Sequence, residues 1–175
     1  MPKLLSPIPA KALIKIGESL TQHRRGSGRV HKGVDLFAAA GTPVVAPISG
    51  RVLRVVNGTS GRASQRRAGY FVDEQGEDGH IYRMLHLDSD VNKWVRSGEQ
   101  VTAGQRIGTV GRVGTSGVNH AKPHLHFEIA RADFDSVRSD YGERVDPLQV
   151  LPIRDYLAAR GIVATMDIDW KGILS

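Results

Sequence analysis

Between residue 29 and about residue 150 the apolar positions fall in short runs rich in valine and isoleucine, bounded by glycine and other turn residues. That patterning predicts strands joined by loops rather than helices. Strands are expected over Val34–Phe37, Pro43–Pro47, Gly50–Val56, Tyr70–Glu74, His80–Leu87, Gln105–Val113 and His124–Ala130. The Gly-Glu-Asp-Gly sequence between Gln75 and His80 reads as a hairpin loop pairing Tyr70–Glu74 with His80–Leu87.

Two segments are loosely alike: Gly41-Thr-Pro-Val44-Val-Ala46 through Gly50-Arg-Val52, and Gly98-Glu-Gln-Val101-Thr-Ala103 through Gly108-Thr-Val110. With one residue of slippage, Gly, Val, Ala, Gly and Val recur in the same order, which suggests a duplicated hairpin unit. Asn57–Gly69 is too polar for a strand and is expected to be a surface loop, and Arg131–Arg144 reads as a second polar insertion. Residues 1–28 and 151–175 are expected to flank the domain of residues 29–150, the second packed on it. Short helices are expected at Ile14–Gln22 and at Pro152–Arg160, the latter opened by proline and ended by Gly161.

A length of 175 residues predicts one domain with an ordinary core, and 40% hydrophobic with 24% charged residues fits a globular chain. There is no cysteine, so disulfides, thiolate metal sites and a cysteine nucleophile are excluded; any metal must be held by histidine and carboxylate. The longest uncharged apolar stretch, Leu36–Gly50, contains Pro43 and Pro47 and falls short of the about 20 residues of a spanning helix. Leu4–Ala10, broken by Pro7 and Pro9, is a poor core for a secretory leader, so none is recognised in this chain. The net charge of +6 favours polyanionic partners or simply a solvated basic face. With only 6% aromatic residues, base stacking lacks support and no nucleic-acid partner is expected.

Histidine spacing carries the chemistry. In Pro123-His124-Leu-His126-Phe-Glu128-Ile129, apolar residues alternate with His124, His126 and Glu128, so a strand would bury one set and present the other. The two histidine Cα atoms would stand about 6.6 Å apart, within reach of one metal and its bound water. His31-Lys-Gly33-Val-Asp35 supplies a second pair, whose Cα atoms on an extended strand would be about 13 Å apart, so the segment must fold back. Gly33 permits such a turn. Alone, that pair reads as a loop histidine with a turn aspartate. Combined, the clusters offer two histidines and one carboxylate with a fourth position for water, the open pattern of catalytic zinc; a closed site with His86 or a second strand histidine as fourth ligand is the alternative. His23 and His80 read as solvated, and His120 lies in the glycine-rich loop before Pro123.

The run Gly28-Arg-Val-His31-Lys-Gly-Val-Asp35-Leu, then Gly41-Thr-Pro-Val-Val-Ala-Pro-Ile-Ser-Gly50-Arg-Val, Leu85-His86-Leu87, Val101-Thr-Ala-Gly-Gln-Arg-Ile-Gly108-Thr-Val-Gly, Gly114-Thr-Ser-Gly117 and Pro123-His124-Leu-His126-Phe-Glu resembles the lysostaphin- and LytM-type zinc metallopeptidases of family M23. The resemblance spans about 120 residues in the right order. It implies a mainly β, duplicated-hybrid-motif fold of barrel-sandwich-like antiparallel sheets, with a substrate groove and short flanking helices. The implied activity is a zinc-dependent endopeptidase hydrolysing the peptide cross-links of bacterial peptidoglycan, as a monomer in the cell envelope. By position, His31, Asp35 and His126 correspond to zinc ligands, and His86 and His124 to the catalytic pair; no substrate-binding residue is assigned. Glu128 falls on the site face, in a supporting or solvent-facing place. The family's upstream Phe-Gly-x-Arg is absent, with Gly17-Glu-Ser-Leu-Thr-Gln-His-Arg in its stead, and Tyr82 stands two residues farther from His86 than the usual Tyr-x-His-Leu would have it. The main rival is a non-hydrolysing cell-wall-binding or amidase-regulating module of the same fold; retention of all five positions argues against it. A biotin- or lipoate-carrier-like domain is a further rival, but no Met-Lys-Met stands here.

Overall fold

The computed structural model describes residues 4–17, 31–57, 68–114, 118–119, 122–131 and 144–152. The strands are β1 (Lys15–Ile16), β2 (Val34–Phe37), β3 (Pro43–Val45), β4 (Gly50–Val56), β5 (Tyr70–Gly76), β6 (Ile81–Leu87), β7 (Gln100–Val101), β8 (Arg106–Thr109), β9 (Val113–Gly114), β10 (Val118–Asn119), β11 (His124–Ala130) and β12 (Arg144–Val145). Helix is sparse among the described residues, with 3-10 turns at Ala10–Ala12 and Val91–Lys93 and the short α1 (Pro147–Val150), where Asp146 caps the Leu148 amide. The protein is therefore mainly β, with every strand pair among the described residues antiparallel.

The main sheet runs β1-β2-β11-β6-β5-β4-β7, with β12 also on β11. Its inner face is built by the alternation seen in the sequence. Leu125, Phe127 and Ile129 of β11 join Val34 and Leu36 of β2, Tyr82 and Met84 of β6, Val72 and Val52 in one apolar core.

The smaller β3–β8 sheet gives the internal repeat a physical meaning. Val44 pairs with Gly108, and Gly50 pairs with Val101. Under the sequence alignment Val44 corresponds to Val101 and Gly50 to Gly108, so each unit lends one strand to the other in a reciprocal, pseudo-twofold exchange. The turn glycines at the corresponding positions, Gly41 and Gly98, share the left-handed conformation, at φ 83° and 87°.

One expectation changes. Ile14–Gln22 was expected to be helical, but Lys15–Ile16 is an edge strand: Ile14 N donates to Phe37 O and Gly17 N to Asp35 O. The backbone gains more from β2's open edge than from a helix that Gly17 would weaken. Ile8 and Leu13, in the expected flank, are also fully buried in the core. Residues 18–22 of that stretch, and 153–160 of the expected C-terminal helix, lie outside the described residues.

A bulge in β6 does something the alternation could not foretell. Tyr70 pairs with Leu87 and Val72 with Met84, so Leu85 and His86 together oppose Phe71. His86 takes a left-handed φ of 64°, the one non-glycine residue to do so among those described. Regular alternation would have sent His86 inward with Tyr82 and Met84. The extra residue returns Leu87 to the core and turns His86 to the other face.

Candidate metal centre

On β11 the period of two places His124, His126 and Glu128 on the face opposite the core. Beside it, β2 sets Asp35 directly across from His126, and Asp35 Oδ1 lies 2.8 Å from His126 Nδ1. His31 closes the group: its Nε2 stands 3.2 Å from Asp35 Oδ1 and 3.0 Å from His126 Nδ1. All three residues are buried.

Gly33 makes that approach possible. A Cβ there would lie 2.1 Å from the Phe127 carbonyl oxygen and 3.0 Å from Glu128 Cγ. Its φ is not left-handed, so the residue serves by omitting a side chain where the His31–Asp35 segment crosses β11.

Three donor atoms this close can hold one divalent cation. Bonds of about 2.0–2.1 Å at tetrahedral angles separate ligand atoms by about 3.3 Å, so the observed spacings need widen by only a few tenths of an ångström. Two imidazole nitrogens and a carboxylate oxygen suit zinc or a similar borderline ion. Burial disfavours a charged Asp35, yet the hydrogen bonds of His126 and His31 and the positive potential of His126 and His124 hold it well below the usual carboxylate range. Burial likewise opposes charge on His126, but Asp35 and Glu128 together push it up to about 9. A cation entering here competes with that proton.

His86 and His124 border this group. Their rings are 4.9 Å apart edge-to-face, and His86 is 5.9 Å from the His126 ring. His124 Nδ1 donates to the Lys122 carbonyl at 2.9 Å, which turns Nε2 toward the site, 3.8 Å from Asp35 Oδ1. Phe37 backs the His124 ring at 5.1 Å, and Gly17 packs so closely on Phe37 that a Cβ would come within 2.4 Å. The Gly111 amide holds the His86 carbonyl at 2.9 Å, fixing the bulge.

All five residues singled out in the sequence thus share one face. His80 belongs to the β5–β6 hairpin, 3.1 Å from Asp78 Oδ2, while His23 and His120 lie outside the described residues. Sequence reasoning left Glu128 undecided. It is buried, with Oε1 accepting from His126 Nε2 at 3.0 Å. Burial raises the affinity of Glu128 for a proton, but the His126 hydrogen bond and the Arg83 and Arg144 charges outweigh it and bring it down to about 2.

These features define a mainly β protein with a buried His–Asp–His donor set flanked by two further imidazoles. Residues 29–147 match the sequence profile of peptidase family M23. The chain belongs to that family. It is 32% identical over 124 residues, 71% of this chain and 27% of the relative, to the murein hydrolase activator NlpD of Salmonella dublin. Among solved structures it resembles the catalytic domain of the antimicrobial peptidase lysostaphin from Staphylococcus simulans, with 32% identity and a TM-score of 0.59, over 77% of this chain and 89% of that one. It also resembles a zinc containing peptidase from Vibrio cholerae, with 25% identity and a TM-score of 0.61, over 80% of this chain and 37% of that one. The chain spans only 24–35% of the length of the first curated relatives it matches. No described helix is long and apolar enough to cross a membrane.

Proposed function

We propose that the chain is a zinc-dependent endopeptidase that hydrolyses the peptide cross-links of bacterial peptidoglycan in the cell envelope. The observation that carries this reading is the convergence of His31 Nε2, Asp35 Oδ1 and His126 Nδ1 to within 3.2 Å of one another beside two imidazoles that are not part of the donor group. Similarity to the lysostaphin catalytic domain and to a zinc containing peptidase supports it.

In this reading His31, Asp35 and His126 hold the ion, which when bound supplies Lewis acidity and eases deprotonation of water near neutral pH. The remaining steps belong to side chains. His124, locked with Nδ1–H on the Lys122 carbonyl, presents Nε2 as a proton acceptor and later as a donor to the leaving amine. His86, held by its left-handed backbone, presents an imidazole N–H where a peptide carbonyl oxygen gains negative charge. Both rings are backed by protein rather than water, which strengthens these interactions.

One observation favours a second reading, a non-hydrolysing regulator: the resemblance to a murein hydrolase activator. The two separate in one experiment. The purified chain is incubated with cell walls of two cross-link types, with zinc or with chelator, and released fragments are identified by mass. Zinc-dependent peptide fragments support the enzyme, and intact walls in the presence of bound zinc establish the regulator. His31→Ala, Asp35→Ala and His126→Ala should lose both zinc and cleavage. His86→Ala and His124→Ala should keep zinc and lose turnover by about 100-fold or more; retention of cleavage by either would remove it from the mechanism.

A further inference from the structure

A row of charges, half-buried at Arg54 and buried from Asp73 onward, crosses the sheet and ends on the metal centre. Glu128 pairs in register with Arg83, Arg83 with Asp73, and Asp73 with Arg54, so the row spans β11, β6, β5 and β4. Arg83 Nε donates to Asp73 Oδ1 at 2.9 Å, and Arg54 Nε donates to Asp73 Oδ2. Both guanidinium groups lie over the Phe71 ring, at 5.0 and 5.3 Å. From the edge strand β12, Arg144 Nη2 reaches Glu128 Oε2 at 3.3 Å, with Arg83 Nη1 at 3.7 Å.

Buried ion pairs are weak sources of stability, because desolvation cancels much of their attraction. What distinguishes this row is where it terminates. Glu128 Oε1 accepts from His126 Nε2, and the other ring nitrogen, Nδ1, is the one that faces Asp35 and His31. An imidazole has two tautomers, and the one protonated at Nδ1 would point an N–H at the donor group.

We propose that Glu128 is a positioning residue: its carboxylate selects the His126 tautomer that offers Nδ1 to the ion, and the Arg83–Asp73–Arg54 row with Arg144 holds that carboxylate in place. The proposal rests on the metallopeptidase reading above, and it extends a three-residue donor set into a support reaching four strands deep. Carboxylates behind a ligating histidine fix ring orientation and raise ligand basicity.

The test uses the full chain. Zinc affinity is measured by competition with a chromophoric chelator for wild type, Glu128→Gln, Glu128→Leu and His126→Ala, and the His126 tautomer is read in the zinc-loaded wild type from long-range proton–nitrogen NMR correlations. Expected are a proton on His126 Nε2 and about 10- to 100-fold weaker zinc binding in Glu128→Leu, with Glu128→Gln, which keeps an acceptor oxygen, in between. Wild-type affinity in folded Glu128→Leu, or a proton on Nδ1 of the loaded wild type, overturns the proposal. If Glu128→Leu fails to fold, Glu128→Gln decides, and zinc affinity equal to wild type in that variant overturns the proposal. Unaltered zinc binding in His126→Ala would sink the metallopeptidase reading itself, whereas loss there with full affinity in Glu128→Leu sinks only the positioning role.

Discussion

A methyl group added at position 33 would meet the Phe127 carbonyl oxygen at 2.1 Å, a contact no side-chain rotation can relieve because both partners are backbone-fixed. Gly33→Ala must therefore push the His31–Asp35 segment away from β11, and with it two of the three donor atoms. The expected outcome is a loss of about 1–3 kcal/mol of stability, together with zinc binding weakened at least about tenfold, since 1.4 kcal/mol of misplacement suffices for that. Gly41→Ala is the control. Its added Cβ would meet nothing within 4 Å, but its left-handed φ costs about 1 kcal/mol, so stability should fall while zinc affinity stays at the wild-type value. Equal affinity losses in both variants would refute the contact argument. The sequence pointed to Gly33 for a turn; what it could not display was the neighbouring strand that forbids a side chain.

At the scale of the element, the strands that could be read were those long enough to show a period. Gly50–Val56 and His124–Ala130 have the bounds expected from alternation, whereas Lys15–Ile16, Gln100–Val101 and Arg144–Val145 are too short to carry any pattern and exist only because a partner edge is available. The same logic explains why the face of His124 and His126 was legible and that of His86 was not: a bulge shifts the period by one residue and leaves no mark in hydrophobicity. That bulge makes a measurable claim. A position held at φ 64° favours glycine, so His86→Gly should be more stable than His86→Ala by about 1 kcal/mol, although both lack the imidazole. Thermal unfolding of the two zinc-loaded variants checks it, and a more stable alanine variant would show that the left-handed backbone is not retained. Neither variant should turn over substrate if His86 acts as proposed.

For the molecule as a whole, the reciprocal exchange of strands between the two hairpin units builds one continuous core, and one carboxyl is sealed within it. Glu74 is fully buried on the inner face of β5, between its neighbours across the sheet, Val52 and Tyr82, and neither of its oxygens has a hydrogen-bond partner. The nearby Tyr82 hydroxyl donates elsewhere, to Asp78 Oδ2 at 2.7 Å. Burial first, and the Asp78 charge second, push Glu74 up to about 8 from an ordinary 4.5. Because the folded value lies above the unfolded one, the folded state keeps its proton while the unfolded chain gives it up. The stability this provides is complete below about pH 4.5, declines by up to about 1.4 kcal/mol per pH unit through the interval, and is gone above about pH 8. Glutamine has nearly the same shape and cannot ionise, so Glu74→Gln should match wild type near pH 5 and exceed it at pH 9, with the gap opening between. Urea denaturation of both proteins at several pH values measures that difference, in which the titrations of Asp35, His126 and Glu128 cancel because both proteins share them. Parallel stability curves from pH 5 to 9 would mean that Glu74 is ionised or solvated in the folded protein, and that the core is less sealed on this side than the burial of its neighbours Val52 and Tyr82 indicates.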